Sequence, residues 1–149
     1  MVTDRKKKIN RVLLASDHAG FKLKNKIKLF LIKKGNTVLD LGTQNANSVD
    51  YPDYAHLLSK KMKNDKNQTG ILICGSGIGM VMTANKHKNI RAALCYNLKY
   101  AKLSREHNNA NVMAMGSRLI KRSTAIKCVS TFLKTNFDGG RHSRRVKKI

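Results

Sequence analysis

Apolar residues along this chain gather into five short runs, each followed by a longer stretch with helical periodicity. The runs are Val12–Ser16, Thr37–Leu41, Ile71–Cys74, Ala92–Tyr96 and Val112–Met115. Each is the length of a buried strand, whereas the stretches between them repeat their apolar positions every three or four residues. In the first such stretch Leu23, Ile27, Phe30 and Leu31 share one face, and Gly35 ends it in the manner of a helix C-terminus. The last stretch repeats the pattern with Ile126, Val129, Phe132 and Leu133. Strands alternating with helices predict an α/β fold, with a five-stranded parallel sheet covered on both faces. The segment from Asp138 to Ile149 is polar, basic and glycine-containing, so it falls outside the pattern and must either dangle or dock.

In open parallel sheets, ligands bind beyond the carboxyl ends of the strands, near the point where strand order reverses. The unusual residues fall at those ends: Asp17-His18-Ala19-Gly20, Gly42-Thr43, Cys74–Gly79, Tyr96-Asn97 and Gly116-Ser117-Arg118. The third group is the most informative. An apolar strand ends at Cys74 and opens into Gly75-Ser76-Gly77-Ile78-Gly79, with a helix predicted over Met80–Lys86. Bare glycine N–H groups can approach a ligand closely, and a helix N-terminus beside a thiol favours the thiolate. Such a site suits proton transfer on a substrate that becomes an anion. The alternative is a tight turn beside a buried, inert cysteine. Without a closing Gly-Lys-Ser/Thr the loop is not a nucleotide P-loop, and its G-x-G-x-G spacing is not the dinucleotide fingerprint.

Asp17 and His18 either cap the first helix or present a carboxylate to sugar hydroxyls and an imidazole to a phosphate. His107 lies in Ser104-Arg105-Glu106-His107-Asn108-Asn109, just before the fifth strand. That places it at the amino edge, opposite the glycine loop, so it can serve the site only from a neighbouring subunit or through a loop that bends far round. A homodimer with sites completed across the interface is therefore expected. Arg141, Arg144 and Arg145 are either solvated charge or forks for a phosphate.

The chain has 149 residues, enough for one domain with a real core, and 41% of them are hydrophobic. No apolar run approaches the ~20 residues of a membrane helix. The basic start, residues 1–9, lacks the apolar segment of a secretory signal, so a cytoplasmic location is expected. Cys74, Cys95 and Cys128 match no zinc spacing and suit a reducing compartment, with Cys95 and Cys128 read as core thiols. Thirty-one Lys and Arg against eight Asp and Glu give a net charge of +23. The basic residues are spread over nearly every predicted helix with few aromatics between them, which argues against specific nucleic-acid binding. The charge suits attraction of small anions.

Asp17-His18-Ala19-Gly20, Asp50-Tyr51-Pro52, Gly70–Gly79 with Ala84-Asn85-Lys86, Ser104–Asn108, Asn111-Val112, Gly116-Ser117-Arg118 and Gly139-Gly140-Arg141-His142 with Arg145 together resemble ribose-5-phosphate isomerase B, a family shared with galactose-6-phosphate isomerase subunits. The resemblance runs from about Arg11 to Val146. It implies a Rossmann-like αβα sandwich, a homodimer or tetramer with intersubunit sites, and no metal or organic cofactor. It also implies aldose–ketose isomerisation of ribose 5-phosphate and ribulose 5-phosphate through an enediolate, within the pentose phosphate pathway. Cys74 matches the proton-transferring base and His107 the proton donor for ring opening. Asp17, His18, Gly75, Ser76, Gly77, Ile78, Gly79, Asn108, Arg118, Arg141 and Arg145 match substrate-binding positions. One departure is Asn109, where many members carry aspartate; if that carboxylate orients His107, this chain lacks it. A six-carbon phosphosugar such as galactose 6-phosphate is the alternative substrate, and a basic nucleic-acid-binding protein the alternative of another class.

Overall fold

The computed structural model of the chain describes residues 10–149, so the basic extension 1–9 lies outside the described residues. Five strands form one sheet: β1 (Arg11–Ser16), β2 (Thr37–Asp40), β3 (Gln68–Cys74), β4 (Ala92–Leu94) and β5 (Val112–Gly116). Their order is β2-β1-β3-β5-β4 and every pairing is parallel. The helices are α1 (Phe21–Lys33), α2 (Tyr51–Lys61), α3 (Ile78–Ala84), α4 (Leu98–Glu106), α5 (Arg122–Lys134) and α6 (Arg141–Val146).

Side-chain alternation splits the core into two layers. Val12 and Leu14 of β1 join Ile71, Ile73, Met113 and Met115 under α1, α4 and α5, where Ile27, Leu31, Val129 and Phe132 pack against them. Leu13 and Ala15 join Leu72, Cys74 and Ala114 under α2 and α3, against Leu58 and Met80. Each fully buried Leu or Ile contributes roughly 1.5–3 kcal/mol. The predicted sandwich is present. Cys95 and Cys128 are core thiols as expected, burial pushing Cys95 up to about 12 and Cys128 upward as well.

Element ends differ from the sequence expectation for local reasons. The third helix starts at Ile78 rather than Met80, because Ser76 Oγ accepts the Ile78 N–H at 3.3 Å and turns the chain at once. It stops at Ala84 rather than Lys86, because the Asn85 side chain is committed to β4. Asn85 Oδ1 accepts the Ala92 N–H at 2.8 Å and its Nδ2 donates to the Ala92 carbonyl at 3.0 Å. Strand β4 closes at Leu94, two residues short of Tyr96.

The helical periodicity misses one buried residue. Lys24 is fully buried on the inner face of α1 between Leu23 and Ile27. Its Nζ donates to both oxygens of Asp40 at 2.7 Å, and Lys28 adds a longer contact at 3.2 Å. Asp40 Oδ1 also accepts the Gly42 N–H at 3.0 Å. Burial alone would raise the Asp40 carboxyl, but the hydrogen bonds from Lys24, Gly42 and Lys28 outweigh it and hold it below its ordinary value. The pair locks the end of β2 to α1, and it passes that restraint to the carboxyl edge of β1. There the Ser16 N–H donates to the Gly42 carbonyl and the Thr43 N–H to the Ser16 carbonyl, both at 2.8 Å.

Candidate active site

β1 pairs with β2 on one side and with β3 on the other, so the chain leaves β1 and β3 in opposite directions and opens a crevice at their carboxyl ends. Asp17 enters it directly from β1. Its N–H donates to the Ile73 carbonyl at 3.2 Å, and its Oδ1 accepts the Gly20 N–H at 3.0 Å. That bond shapes the turn leading into α1 rather than capping the helix, whose N-cap is Gly20 with no side-chain cap, and the carboxylate is buried beside β3. Gly20 must be glycine, since a Cβ there would fall on the Ile73 carbonyl. His18 Nδ1 accepts the Val49 N–H at 3.1 Å. An acceptor at Nδ1 fixes the tautomer, leaving the ring proton on Nε2 as an available donor.

Cys74 is 4% exposed, and its Sγ accepts the Gly77 N–H at 3.1 Å. Gly77 turns at φ +80°, which aims that amide back at the sulfur. The following first-turn amides of α3 have no acceptor within the helix and face the same edge. From β5, the Ser117 N–H donates to the Cys74 carbonyl at 2.8 Å and the Ser117 hydroxyl to the Ala19 carbonyl at 2.8 Å. The Arg118 N–H donates to the Gly75 carbonyl at 3.1 Å, with the Arg118 guanidinium lying over Gly75. One edge therefore gathers Asp17, His18, Cys74, Gly75, Ser76, Gly77, Ile78, Gly79 and Arg118. Tyr51, to which the sequence reading gave no role, closes one wall with its ring against Gly79. Beside it a cleft of about 480 Å³ is lined by Ser48, Val49, Asp50, Asp53, Tyr54 and Leu57.

The remaining predicted residues lie at the opposite end. His107 follows α4, and its N–H donates to the Leu103 carbonyl at 2.9 Å. The chain then reaches β5 at Val112, which pairs with Gly70, four rungs before the Cys74–Gly116 pair. Those rungs span on the order of 13 Å. His107 and Asn108 are therefore at the amino edge, as the connectivity predicts, and one chain does not bring them to Cys74. The basic tail docks there too. The Asp138 N–H donates to the Glu106 carbonyl at 3.0 Å, and the His142 ring stacks on His107 with centroids 4.3 Å apart and planes 12° apart. Arg141 and Arg145 are exposed on the same short helix.

Asn109 does not take the place of an orienting carboxylate. It sits at φ 47°, and its Oδ1 accepts from Arg105 at 3.1 Å. A carboxylate near His107 comes instead from Asp138: donor atoms of His107, Asp138 and His142 all lie within 4.8 Å of one another. These are metal-ligating residue types, but the positive charge of Arg141 and Arg145 beside them opposes a cation.

The sequence profile of the ribose/galactose isomerase family matches residues 12–149. The chain belongs to the ribose/galactose isomerase family. Among its relatives, a Mycoplasma genitalium protein named probable ribose-5-phosphate isomerase B is 49% identical over 141 residues, covering 93% of this chain and 92% of that one. The Escherichia coli ribose-5-phosphate isomerase B is 39% identical over 141 residues, covering 95% of each. Solved structures of the family share the fold. The Thermotoga maritima ribose 5-phosphate isomerase superposes with a TM-score of 0.90 at 48% identity, covering 93% of this chain and 96% of that one. The Mycoplasma genitalium ribose-5-phosphate isomerase B with bound ribulose-5-phosphate gives 0.89 at 47% identity, covering 93% and 92%. The isomerase family membership and the sandwich expected from the resemblance both hold. Among the described residues no helix is long and apolar enough to cross a membrane.

Proposed function

We propose that this chain, as one isomerase domain over residues 1–149, interconverts ribose 5-phosphate and ribulose 5-phosphate through an enediolate. The observation that carries the reading is the Cys74 sulfur, held 3.1 Å from the Gly77 amide at an edge shared with Asp17, His18 and Arg118. Relatives named for this activity, one of them with ribulose-5-phosphate bound, support the choice of substrate.

The chemistry follows from these groups. The Cys74 thiolate takes the proton from C2 of the open aldose, and the C–H electron pair becomes the C1–C2 double bond. The C1 carbonyl oxygen becomes the enediolate oxygen, where amides of the glycine loop stabilise it. Each such donor is worth about 3 kcal/mol. Cys74 returns the proton to C1 while the O2 proton passes to O1, so that O1 becomes a hydroxyl, C2 becomes the carbonyl, and the ketose is formed. Asp17 binds sugar hydroxyls, and the His18 Nε2–H donates to phosphate or hydroxyl oxygens. No step calls for a metal or organic cofactor.

Ribose 5-phosphate is largely cyclic, so a proton donor must open the ring. His107 has that role, with Asn108, Arg141 and Arg145 binding substrate beside it. Their place at the amino edge supports a second copy of the chain that delivers them to Cys74, so the working unit is a homodimer or a pair of such dimers. Three free thiols support a reducing compartment, in keeping with the cytoplasm. The test is NMR of ribose 5-phosphate with purified protein in D₂O. Interconversion with deuterium appearing at carbon is expected; no conversion of the pentose phosphate, with turnover of galactose 6-phosphate instead, overturns the substrate.

A further inference from the structure

The tail joins two features that the sequence treats separately. Helix α6 spans the six residues Arg141–Val146 and buries none of them. Arg141 and Arg145 are four residues apart, so they project from one face of it. His142 is half-buried and faces the other way, with its ring lying flat on His107. Asp138, one turn of chain earlier, is pinned to the end of α4 through the Glu106 carbonyl. His107 thus has a fixed ring on one face and a carboxylate within reach, while Asn109 is turned to Arg105.

We infer that His142 is a positioning residue for His107, so that the short helix carrying the phosphate-binding arginines also seats the imidazole that opens the sugar ring. The inference rests on the isomerase reading above. His142 itself is poorly suited to carry the proton. Partial burial, followed by the positive charge of His107, Arg141 and Arg145, holds it below the ordinary imidazole range, with Asp138 pulling the other way. A neutral ring stacked on His107 leaves the proton to His107 without a like charge against its face. When the arginines engage a phosphate, α6 is held down and the stack with it. A sugar without a phosphate would forgo that added restraint along with the charge contact.

Four proteins test this: wild type, His142→Ala, His142→Phe and Asp138→Asn. In the free enzyme, imidazole NMR signals of His107 are followed against pH, a measurement that needs no turnover. Isomerisation of ribose 5-phosphate is measured for kcat and KM across pH, together with exchange of the C1 proton of ribulose 5-phosphate into D₂O. For His142→Ala we expect a displaced His107 titration and a kcat on ribose 5-phosphate lower by roughly tenfold, part of the 10²–10⁴ that a placed proton donor supplies. Proton exchange on the open-chain ketose should be retained. His142→Phe keeps a ring against His107 and should recover most of the lost kcat, with an altered acid limb. Asp138→Asn should move the His107 titration without removing the stack. A His107 titration that His142→Ala leaves unmoved overturns the inference whatever the turnover. Wild-type protein that converts no ribose 5-phosphate, but whose His107 titration does respond to His142→Ala, retains the positioning role and removes the isomerase reading instead.

Discussion

Cys74 and Gly77 work as a unit in which one supplies the sulfur and the other supplies the amide that faces it. Replacing Cys74 by Ala should lower turnover by on the order of 10²–10⁴ while leaving KM for the phosphosugar nearly unchanged, as steady-state kinetics would read. Gly77→Ala should act through geometry. An L-residue in the left-handed region costs about 1–2 kcal/mol. The new Cβ would also meet Leu94 Cδ1 at 2.7 Å and the Met115 carbonyl carbon at 2.8 Å. A lowered melting temperature together with lost activity is the expected outcome. His18 is a different case, since its ring is held by Val49 and offers only Nε2–H. His18→Ala should therefore raise KM more than it lowers kcat. The glycine loop could be picked out in the sequence because an apolar strand that opens into alternating glycines is a local pattern, one that also suited a tight turn beside a buried cysteine. The tautomer of His18 could not, because its partner is a backbone amide thirty-one positions away.

Among the elements, α1 and β2 are joined by an ion pair rather than by apolar contact alone. Asp40 is held below its ordinary pKa in the folded chain, so its contribution to stability is complete above the unfolded carboxylate value and vanishes as pH falls through the folded one. Removing one partner of a buried pair typically costs about 3–5 kcal/mol. Asp40→Asn should lose stability of that order in denaturant titrations at neutral pH, and the difference from wild type should begin to shrink below about pH 4 and vanish once pH has fallen through the lower folded value. The same region marks where apolar periodicity stops being informative. Leu23, Ile27 and Leu31 announce the inner face of α1, and Lys24 lies on that face too. A charge there reads as a solvated residue until the facing strand is known to end in Asp40. The strand sequence was likewise legible as five runs, whereas the insertion of β5 between β3 and β4 was not, since spatial order depends on packing between distant segments. Nothing in the composition of the tail names the ring it meets, so docking and dangling look alike in the sequence.

For the whole molecule, the net charge of +23 and the placing of the proposed site residues at two edges have separate consequences. A strongly cationic surface attracts an anionic sugar over a Debye length of about 10 Å at 0.1 M salt. KM should thus climb with ionic strength while kcat holds. The proposed sharing of the site between two subunits is tested by complementation. Cys74→Ala and His107→Asn subunits, each inactive alone, should regain about a quarter of wild-type activity when mixed and allowed to exchange at random in a symmetric dimer. No recovery would mean that each chain builds its own centre. Because α6 takes no part in either packed layer, the proposed role of its arginines can be tested apart from folding. A chain stopped after Phe137 should melt like the parent yet turn over nothing. On the proposed function, a purification handle appended behind Ile149 would sit beside the arginines that grip the substrate.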